Sequence, residues 1–153
     1  MEQRIAFTDA KKGFFDGLYK TGQYLRQSGL DHKLMELIKT RASQVNGCAY
    51  CLDMHWKDAI ELGETEQRLY SLPAWKETPY YTEAERAALA YTEAVTQIPQ
   101  QEVSDEVFNE LTKHFDKGAI ADITMAIISI NSWNRLNIAF RTIPGDYKPG
   151  MFN

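Results

Sequence analysis

The chain has 153 residues, of which 44% are hydrophobic and 25% charged, a composition typical of a globular protein with a core of useful size. Its formal net charge of −4 argues against the broad basic surface that nucleic-acid binding requires. The N-terminus has no cationic leader followed by an apolar stretch, and polar residues interrupt the most apolar segment, residues 118–140. We therefore expect one cytoplasmic domain, residues 1–153, with no nucleic-acid or membrane partner.

The first half of the chain has helical periodicity and no stretch that alternates like a β-strand. Asn46-Gly47 is a turn signal between the second and third predicted helices. In chain order, the expected helices are a first one capped by Thr8 or Asp9 and ended by Gly29, a second from Asp31 to about Val45, and a third from around Cys48 to about Leu62.

The second half is helical as well, after an irregular piece that Pro73 and Pro79 interrupt. The last helix is apolar around much of its circumference, which predicts a place in the core and a surface shared with another subunit of a homo-oligomer. The expected elements are a short helix through Leu69 and Leu72, a helix opened by a Thr82–Glu85 capping box and ended before Pro99, a helix between Ser104 and Gly118, a long helix from about Ala119 to Arg141, and an irregular tail from about 144.

Cys48 and Cys51 are the only cysteines, and His55 follows them in a CxxC-xxx-H pattern. In the first turn of a helix, Cα atoms three residues apart lie about 5 Å from each other, which a disulfide tolerates. The partial positive charge of a helix N-terminus lowers the pKa of a thiol and raises its thiolate fraction. The pattern therefore predicts a redox-active cysteine pair with a histidine on the same helix face.

Glu36 stands about ten residues before the Asn46-Gly47 turn, and His55 about eight residues after it. With a rise of about 1.5 Å per residue, the two side chains lie at similar heights on antiparallel helices. A carboxylate facing His55 would fix its tautomer and raise its basicity. This predicts a relay from Glu36 through His55 to Cys51.

Other interpretations of these residues remain open. The cysteines could be inert core residues, or they could bind zinc with His55, although His32 and His114 are distant choices for a fourth ligand. Glu36 could be a solvated surface charge. Tyr50, between the cysteines, could donate a proton or simply pack.

The spacing of Glu36, the Cys48–Cys51 pair and His55 resembles the AhpD-like superfamily, the alkylhydroperoxidase and carboxymuconolactone decarboxylase group. Its motif is a glutamate twelve residues before a CxxC that is followed by xxxH. The segment 41–47 and the stretches 88–95 and 131–137 are also similar to a bacterial branch of that family, so the resemblance extends over about residues 10–140.

The resemblance implies an all-α fold, assembly into trimers or hexamers, and peroxide reduction without a cofactor or metal. By this analogy Cys51 attacks the peroxide and becomes a sulfenic acid, and Cys48 condenses with it to a disulfide. His55 and Glu36 move the protons. A dithiol protein or a small thiol then restores the cysteine pair.

One departure from the family pattern concerns Tyr50, which stands where the best-studied peroxidases carry a histidine. A tyrosine titrates near 10, so a second proton carrier is missing, and the activity could be weaker or the substrate different. Decarboxylase members generally lack the cysteine pair, which argues against lactone chemistry. Tyr50, Glu93 and Asn131 are secondary site residues; the alternative roles of Glu93 and Asn131 are an exposed charge and a bridge between helices.

Three functions are compatible with the sequence. The first is a thiol-dependent peroxidase acting on hydroperoxides. The second is a redox sensor or binding protein that uses the same reversible disulfide without turnover. The third is a helical assembly protein with passive cysteines.

Overall fold

The structure, a computed structural model, describes residues 2–152 and is built from α-helices, with no β-strand among those residues. This confirms the predicted all-α class. The helices are α1 (Asp16–Gln27), α2 (His32–Asn46), α3 (Ala49–Glu61), α4 (Glu66–Ser71), α5 (Glu83–Thr96), α6 (Asp105–Thr112) and α7 (Lys117–Phe140), with 3-10 helices at Phe7–Asp9 and Leu72–Glu77.

Helix α2 is central and packs against α3, α5 and α7. Its side chains Leu37 and Ile38 are fully buried and belong to the two larger hydrophobic clusters. A third, smaller cluster holds Cys48 and Cys51 between α2, α3 and α7. Since burying one Leu or Ile side chain contributes about 1.5–3 kcal/mol, packing on three sides fixes α2 firmly. The side chains that α2 presents to α3 are therefore held in place.

The turn between α2 and α3 sets the relative heights of the two helices. Gly47 adopts a left-handed conformation, with φ of 70°, and its N–H donates to carbonyls in the last turn of α2. The N–H of Cys48 then donates to the carbonyl oxygen of Ser43 at 3.0 Å. Cys48 is the N-cap of α3 rather than a member of its first turn, because its sulfur accepts a hydrogen bond from the N–H of Cys51.

Two predicted helix ends are wrong. The side chain of Asp9 accepts a hydrogen bond from the N–H of Ala6 and closes a 3-10 turn, and α1 starts only at Asp16. Gly118 does not follow α6 directly. It lies in the first turn of α7, because the carboxylate of Asp116 caps that helix by accepting from the N–H of Ala119 at 2.8 Å.

Other features agree with the sequence-based expectations. Thr82 and Glu85 form the predicted capping box, and Ser104 caps α6. Residues 141–152 contain no regular helix. None of the helices in residues 2–152 combines the length and the apolarity needed to cross a bilayer.

Helix α7 has two apolar faces, as its sequence suggests. Ile123 and Ile127 are fully buried, whereas Met125, Ile128 and Ile138 are exposed. Assembly into a homo-oligomer through such a face stays a prediction.

Candidate active site

The side chains of Glu36 on α2 and His55 on α3 meet in a buried hydrogen-bonded pair. Oε2 of Glu36 lies 2.6 Å from Nδ1 of His55, and Oε1 accepts from Nζ of Lys39 at 2.8 Å. Glu36 is 7% exposed and His55 5%. The predicted meeting of carboxylate and imidazole is therefore present, and the lysine, one turn along α2, is an additional partner.

The charge state of Glu36 follows from these contacts. Burial alone would raise the pKa of its carboxyl, but the positive charges of Lys39 and His55 and their hydrogen bonds outweigh burial and lower the pKa to about 2. Glu36 is therefore a carboxylate at neutral pH. Because a carboxylate can only accept, Nδ1 of His55 carries a proton and donates it in a hydrogen bond to Oε2 of Glu36, and Nε2 is the ring nitrogen left to exchange a proton.

Cys48 and Cys51 are joined as a disulfide, with Cα atoms 5.4 Å apart, and each residue is only 1% exposed. Each sulfur has one nitrogen donor nearby. The N–H of Cys51 donates to Cys48 Sγ at 3.4 Å, and Nδ2 of Asn137 on α7 donates to Cys51 Sγ at 3.5 Å. Within residues 2–152 no hydrogen bond joins His55 to either sulfur, so the last link of the predicted relay is not made in the disulfide form.

A cavity of about 430 Å³ lies beside this group. Glu36, His55 and Asn137 contribute to its wall, but the two cysteines do not. A molecule in the cavity therefore meets the imidazole and the amide before it meets sulfur. The volume falls in the range of small-molecule sites.

Aromatic side chains make up one side of the cavity. Trp133 of α7 stacks on Phe15 with ring centroids 5.7 Å apart, and Phe7 and Tyr19 pack against the same indole. Tyr50 is half-buried and also lines the cavity. Burial, followed by the nearby Asp53 charge, raises the pKa of Tyr50, so its hydroxyl stays protonated and can act only as a hydrogen-bond donor or acceptor near neutrality.

The C-terminal tail closes another side. Tyr147 is buried, and its hydroxyl donates to Oδ1 of Asp58 at 2.7 Å. Nζ of Lys57 donates to the carbonyl oxygens of Gly145 and Tyr147, at 2.9 and 3.1 Å. Burial is the largest influence on Asp58 and raises the pKa of its carboxyl, partly offset by the tyrosine hydrogen bond.

Glu36, His55 and Asp58 are the one group within residues 2–152 whose ligand atoms lie close enough to hold a metal ion, all within 4.8 Å of one another. The group contains neither cysteine, so it does not correspond to the zinc site considered from the sequence. A cation there would compete with the Lys39 ammonium, 2.8 Å from Glu36, and with the proton on His55. This arrangement is better suited to carrying protons.

Of the secondary site residues, Glu93 and Asn131 lie outside the cavity wall. The carboxylate of Glu93 on α5 accepts from Nε of Arg41 at 2.9 Å and from Nε1 of Trp75 at 2.7 Å, with Lys76 also beside it. Asn131 of α7 donates to Thr96 and accepts from Asn46. Both join different parts of the helical framework, and neither forms a hydrogen bond with Cys51.

Three wall residues were not found by sequence reasoning. Asp58 follows His55 by three residues on the same helix, a spacing that could have indicated a shared face. Asn137 belongs to a stretch that carries the family resemblance, but nothing in the sequence placed it beside Cys51. Tyr147 lies in an irregular tail, where no periodicity indicates the direction of a side chain.

Comparison with known proteins gives consistent results. The family model described as carboxymuconolactone decarboxylase family matches residues 12–94, more than half of the chain. The protein YdfG of Bacillus subtilis (strain 168) is 42% identical over 139 residues, which cover 91% of this chain and 95% of that protein.

Solved structures share the fold. ATU0492 of Agrobacterium tumefaciens, a protein of unknown function with a suggested role in antioxidant defence as an AhpD, superposes with a TM-score of 0.91 at 40% identity, over 95% of this chain and all of that one. The debrominase Bmp8 superposes with a TM-score of 0.77 at 23% identity, over 86% of this chain and 70% of its own, which shows a common fold alone. Because the family model matches more than half of the chain, and two relatives at least 40% identical cover more than nine tenths of it, the chain belongs to the AhpD-like, carboxymuconolactone decarboxylase family.

Proposed function

We propose that this protein is a thiol-dependent peroxidase that reduces organic hydroperoxides. The observation that carries the proposal is the Glu36–His55 pair, 2.6 Å apart and buried beside a CxxC disulfide at the wall of a mostly apolar cavity. A buried carboxylate that holds an imidazole in one tautomer is a proton-transfer device, and the adjacent dithiol supplies two electrons.

The reaction begins with the reduced cysteine pair. The thiolate of Cys51 attacks one peroxide oxygen, the O–O bond breaks, and Cys51 becomes a sulfenic acid. The leaving alkoxide takes from His55 the proton that Cys51 gave up when its thiolate formed, and it departs as an alcohol. Cys48 then attacks the sulfenic sulfur, water leaves, and the disulfide forms. A dithiol reductant, a protein or a small molecule, returns two electrons and two protons and is itself oxidised to a disulfide.

The position of His55 supports this order. It lies one turn after Cys51 on α3 and lines the cavity, so its Nε2 can exchange protons with a peroxide bound there, directly or through a water. Glu36 stabilises the imidazolium that forms when His55 gains a second proton, because the carboxylate and the ring are 2.6 Å apart.

The burial of the sulfurs favours a second candidate function. Both cysteines are 1% exposed and neither lines the cavity, so a bulky protein reductant has no direct path to the disulfide. A peroxide could then oxidise the pair once without continued turnover. The protein would act as a redox sensor whose disulfide changes its packing or its affinity for a partner.

Peroxide consumption by the reduced protein separates these functions. With cumene hydroperoxide and excess dithiothreitol, a peroxidase consumes many equivalents of peroxide per subunit, whereas a sensor stops after one. Cys51→Ser should abolish consumption. Assayed without dithiothreitol, Cys48→Ser should consume one equivalent and then stop, with Cys51 trapped as a sulfenic acid that dimedone labels.

The two serine variants are matched controls, since each removes one sulfur from the same cluster. Undiminished consumption by Cys51→Ser would reject the peroxidase proposal. A single equivalent consumed by the unmodified protein, with all dithiol donors tested, would favour the sensor. Slow alkylation of both thiols only above pH 9 would support passive cysteines.

A further inference from the structure

The side chain of Asn137 contacts Sγ of Cys51, the atom that reacts in the proposed mechanism. The relay of Glu36 and His55 gives this contact no role. Asn137 lies on α7, is 5% exposed, and donates from Nδ2 to Sγ of Cys51 at 3.5 Å. It also lines the cavity. Among the described residues, it is therefore the cavity-lining side chain that donates a hydrogen bond to the Cys51 sulfur.

The orientation of this amide is fixed by its other contact. Nδ2 also donates to the carbonyl oxygen of Trp133 at 2.9 Å. A flipped amide would place Oδ1 against that carbonyl, two acceptors facing each other, so Nδ2 is the atom on this side. A donor, and not an acceptor, consequently faces Cys51.

The carbonyl half of the Asn137 side-chain amide lacks a hydrogen-bond partner among the described residues. Oδ1 of Asn137 is buried and has no hydrogen-bond partner among residues 2–152. An unpaired buried carbonyl is unfavourable, and a leucine of similar size would avoid it. The Trp133 carbonyl does not require the amide, because it can accept the ordinary helix hydrogen bond from the N–H four residues later. Structural stabilisation therefore does not account for an amide here.

Without Asn137, the sulfur of Cys48 would have a hydrogen-bond donor and the sulfur of Cys51 would have none among the described residues. Cys48 is the N-cap of α3 and accepts from the N–H of Cys51, a position that by itself favours a thiolate at Cys48. Cys51 lies inside the helix, and its sulfur accepts from no other described group than Asn137. The nucleophile of the proposed mechanism thus needs a donor of its own.

We propose that Asn137 is a catalytic residue that donates a hydrogen bond from Nδ2 to the Cys51 thiolate and thereby makes Cys51, and not Cys48, the sulfur that attacks peroxide. The proposal deepens the proposed function and depends on it only for the identity of the oxidant. The hydrogen bond itself acts on the acidity of Cys51, which alkylation measures without any peroxide.

The test uses full-length Cys48→Ser protein, with and without Asn137→Leu, and records the rate of iodoacetamide alkylation between pH 5 and 11. Asn137→Leu should raise the pKa of Cys51 by about one unit and slow alkylation about fivefold at pH 7. Above pH 10, the alkylation rates with and without Asn137→Leu should converge. Such convergence rules out a change in the access of iodoacetamide to Cys51. The melting temperature should stay the same or rise, because the unpaired carbonyl is gone.

The matched control is the same Asn137→Leu substitution in Cys51→Ser protein, where the alkylation profile of Cys48 should not change. Asn137→Asp is a second, isosteric variant that replaces the donor by an acceptor, and it should also raise the pKa of Cys51. An unchanged Cys51 profile in either folded variant, or an equal shift at Cys48, would overturn the proposal. Absence of peroxide turnover in the unmodified protein would reject the proposed peroxidase activity. The alkylation rates would still show whether Asn137 lowers the pKa of Cys51.

Discussion

Oε2 of Glu36 and Nδ1 of His55 lie 2.6 Å apart, although 19 residues separate them in the chain. The Gly47 turn brings the two together by folding α3 back along α2. Because Glu36 also accepts from Lys39, its carboxylate is held from both sides and has little freedom to turn away. The pair is thus organised before any substrate binds.

Replacement of this carboxylate should slow peroxide reduction without abolishing it. Glu36→Gln keeps the shape but removes the charge that stabilises the imidazolium, and we expect kcat/KM for cumene hydroperoxide to fall about 100-fold. Steady-state consumption with dithiothreitol measures the effect.

Glu93→Gln is the matched control, since it makes the same change in a glutamate that is ion-paired outside the cavity. It should retain kcat/KM but lose about 1–3 kcal/mol of unfolding free energy, because Arg41 and Trp75 lose a charged acceptor. Equal activity losses in the two glutamine variants would assign the Glu36 effect to general destabilisation.

The pH dependence of stability provides a second test of the pair. The folded-state pKa of Glu36 is lowered to about 2, so its stabilisation is present above the unfolded value of about 4.5 and is lost as pH falls toward 2. Within that window Glu36 should contribute a slope of about 1.4 kcal/mol per pH unit, with stability rising as pH rises.

Urea unfolding at pH 3, 4 and 5 measures this slope, and Glu36→Gln should lower it. Lys39→Met should narrow the pH range over which Glu36 contributes this slope, because loss of the ammonium raises the pKa of Glu36. The same slope in all three proteins would mean that Glu36 is not an ionised, paired group in the folded state.

The tail should depend on the hydrogen bond between Tyr147 and Asp58. Tyr147→Phe and Asp58→Asn each remove one side of a 2.7 Å contact, and a double-mutant cycle should give a coupling energy of about 1–2 kcal/mol. Chemical denaturation of the four proteins provides the numbers. Fully additive losses would show that the contact does not hold the tail in solution.

A polar network joins α7 to α2 at the buried end of the site. Asn134 is fully buried, donates to Oγ of Ser43 at 3.0 Å and accepts from Nδ2 of Asn46 at 2.9 Å. Asn134→Leu should cost about 2–4 kcal/mol, because a buried hydroxyl and a part-buried amide lose their partners. Differential scanning calorimetry measures the loss. For Asn137→Leu we expect an unchanged or higher melting temperature, whereas for Asn134→Leu a higher melting temperature would contradict the network.

Much of the fold could be predicted because the chain marks its own helix ends. Thr82 with Glu85, Ser104 and Gly47 each supply a local hydrogen-bonding or backbone preference that tertiary packing leaves unchanged. The start of α1 and the helix boundary near Gly118 could not be predicted, because aspartates nearby offered competing caps. Asp9 closes a 3-10 turn and Asp116 opens α7.

The site was predictable where it depends on two neighbouring helices and a short turn. Helical rise alone places Glu36 level with His55. Asn137 and Tyr147 are 86 and 89 residues from their partners Cys51 and Asp58, and pairing at such separation depends on how α7 and the tail pack, which periodicity does not encode.

The wall that residues 145–152 contribute is attached chiefly to a single helix, through Asp53, Lys57 and Asp58. The sulfurs and the imidazole belong to the same helix, α3, and the carboxylate of Glu36 belongs to α2, but among the described residues no hydrogen bond joins any of these groups to residues 145–152. The size and polarity of the pocket can thus change through substitutions in the terminal segment, while the redox centre remains untouched. Homologues with the same cysteine motif could in this way diverge in the molecules they accept.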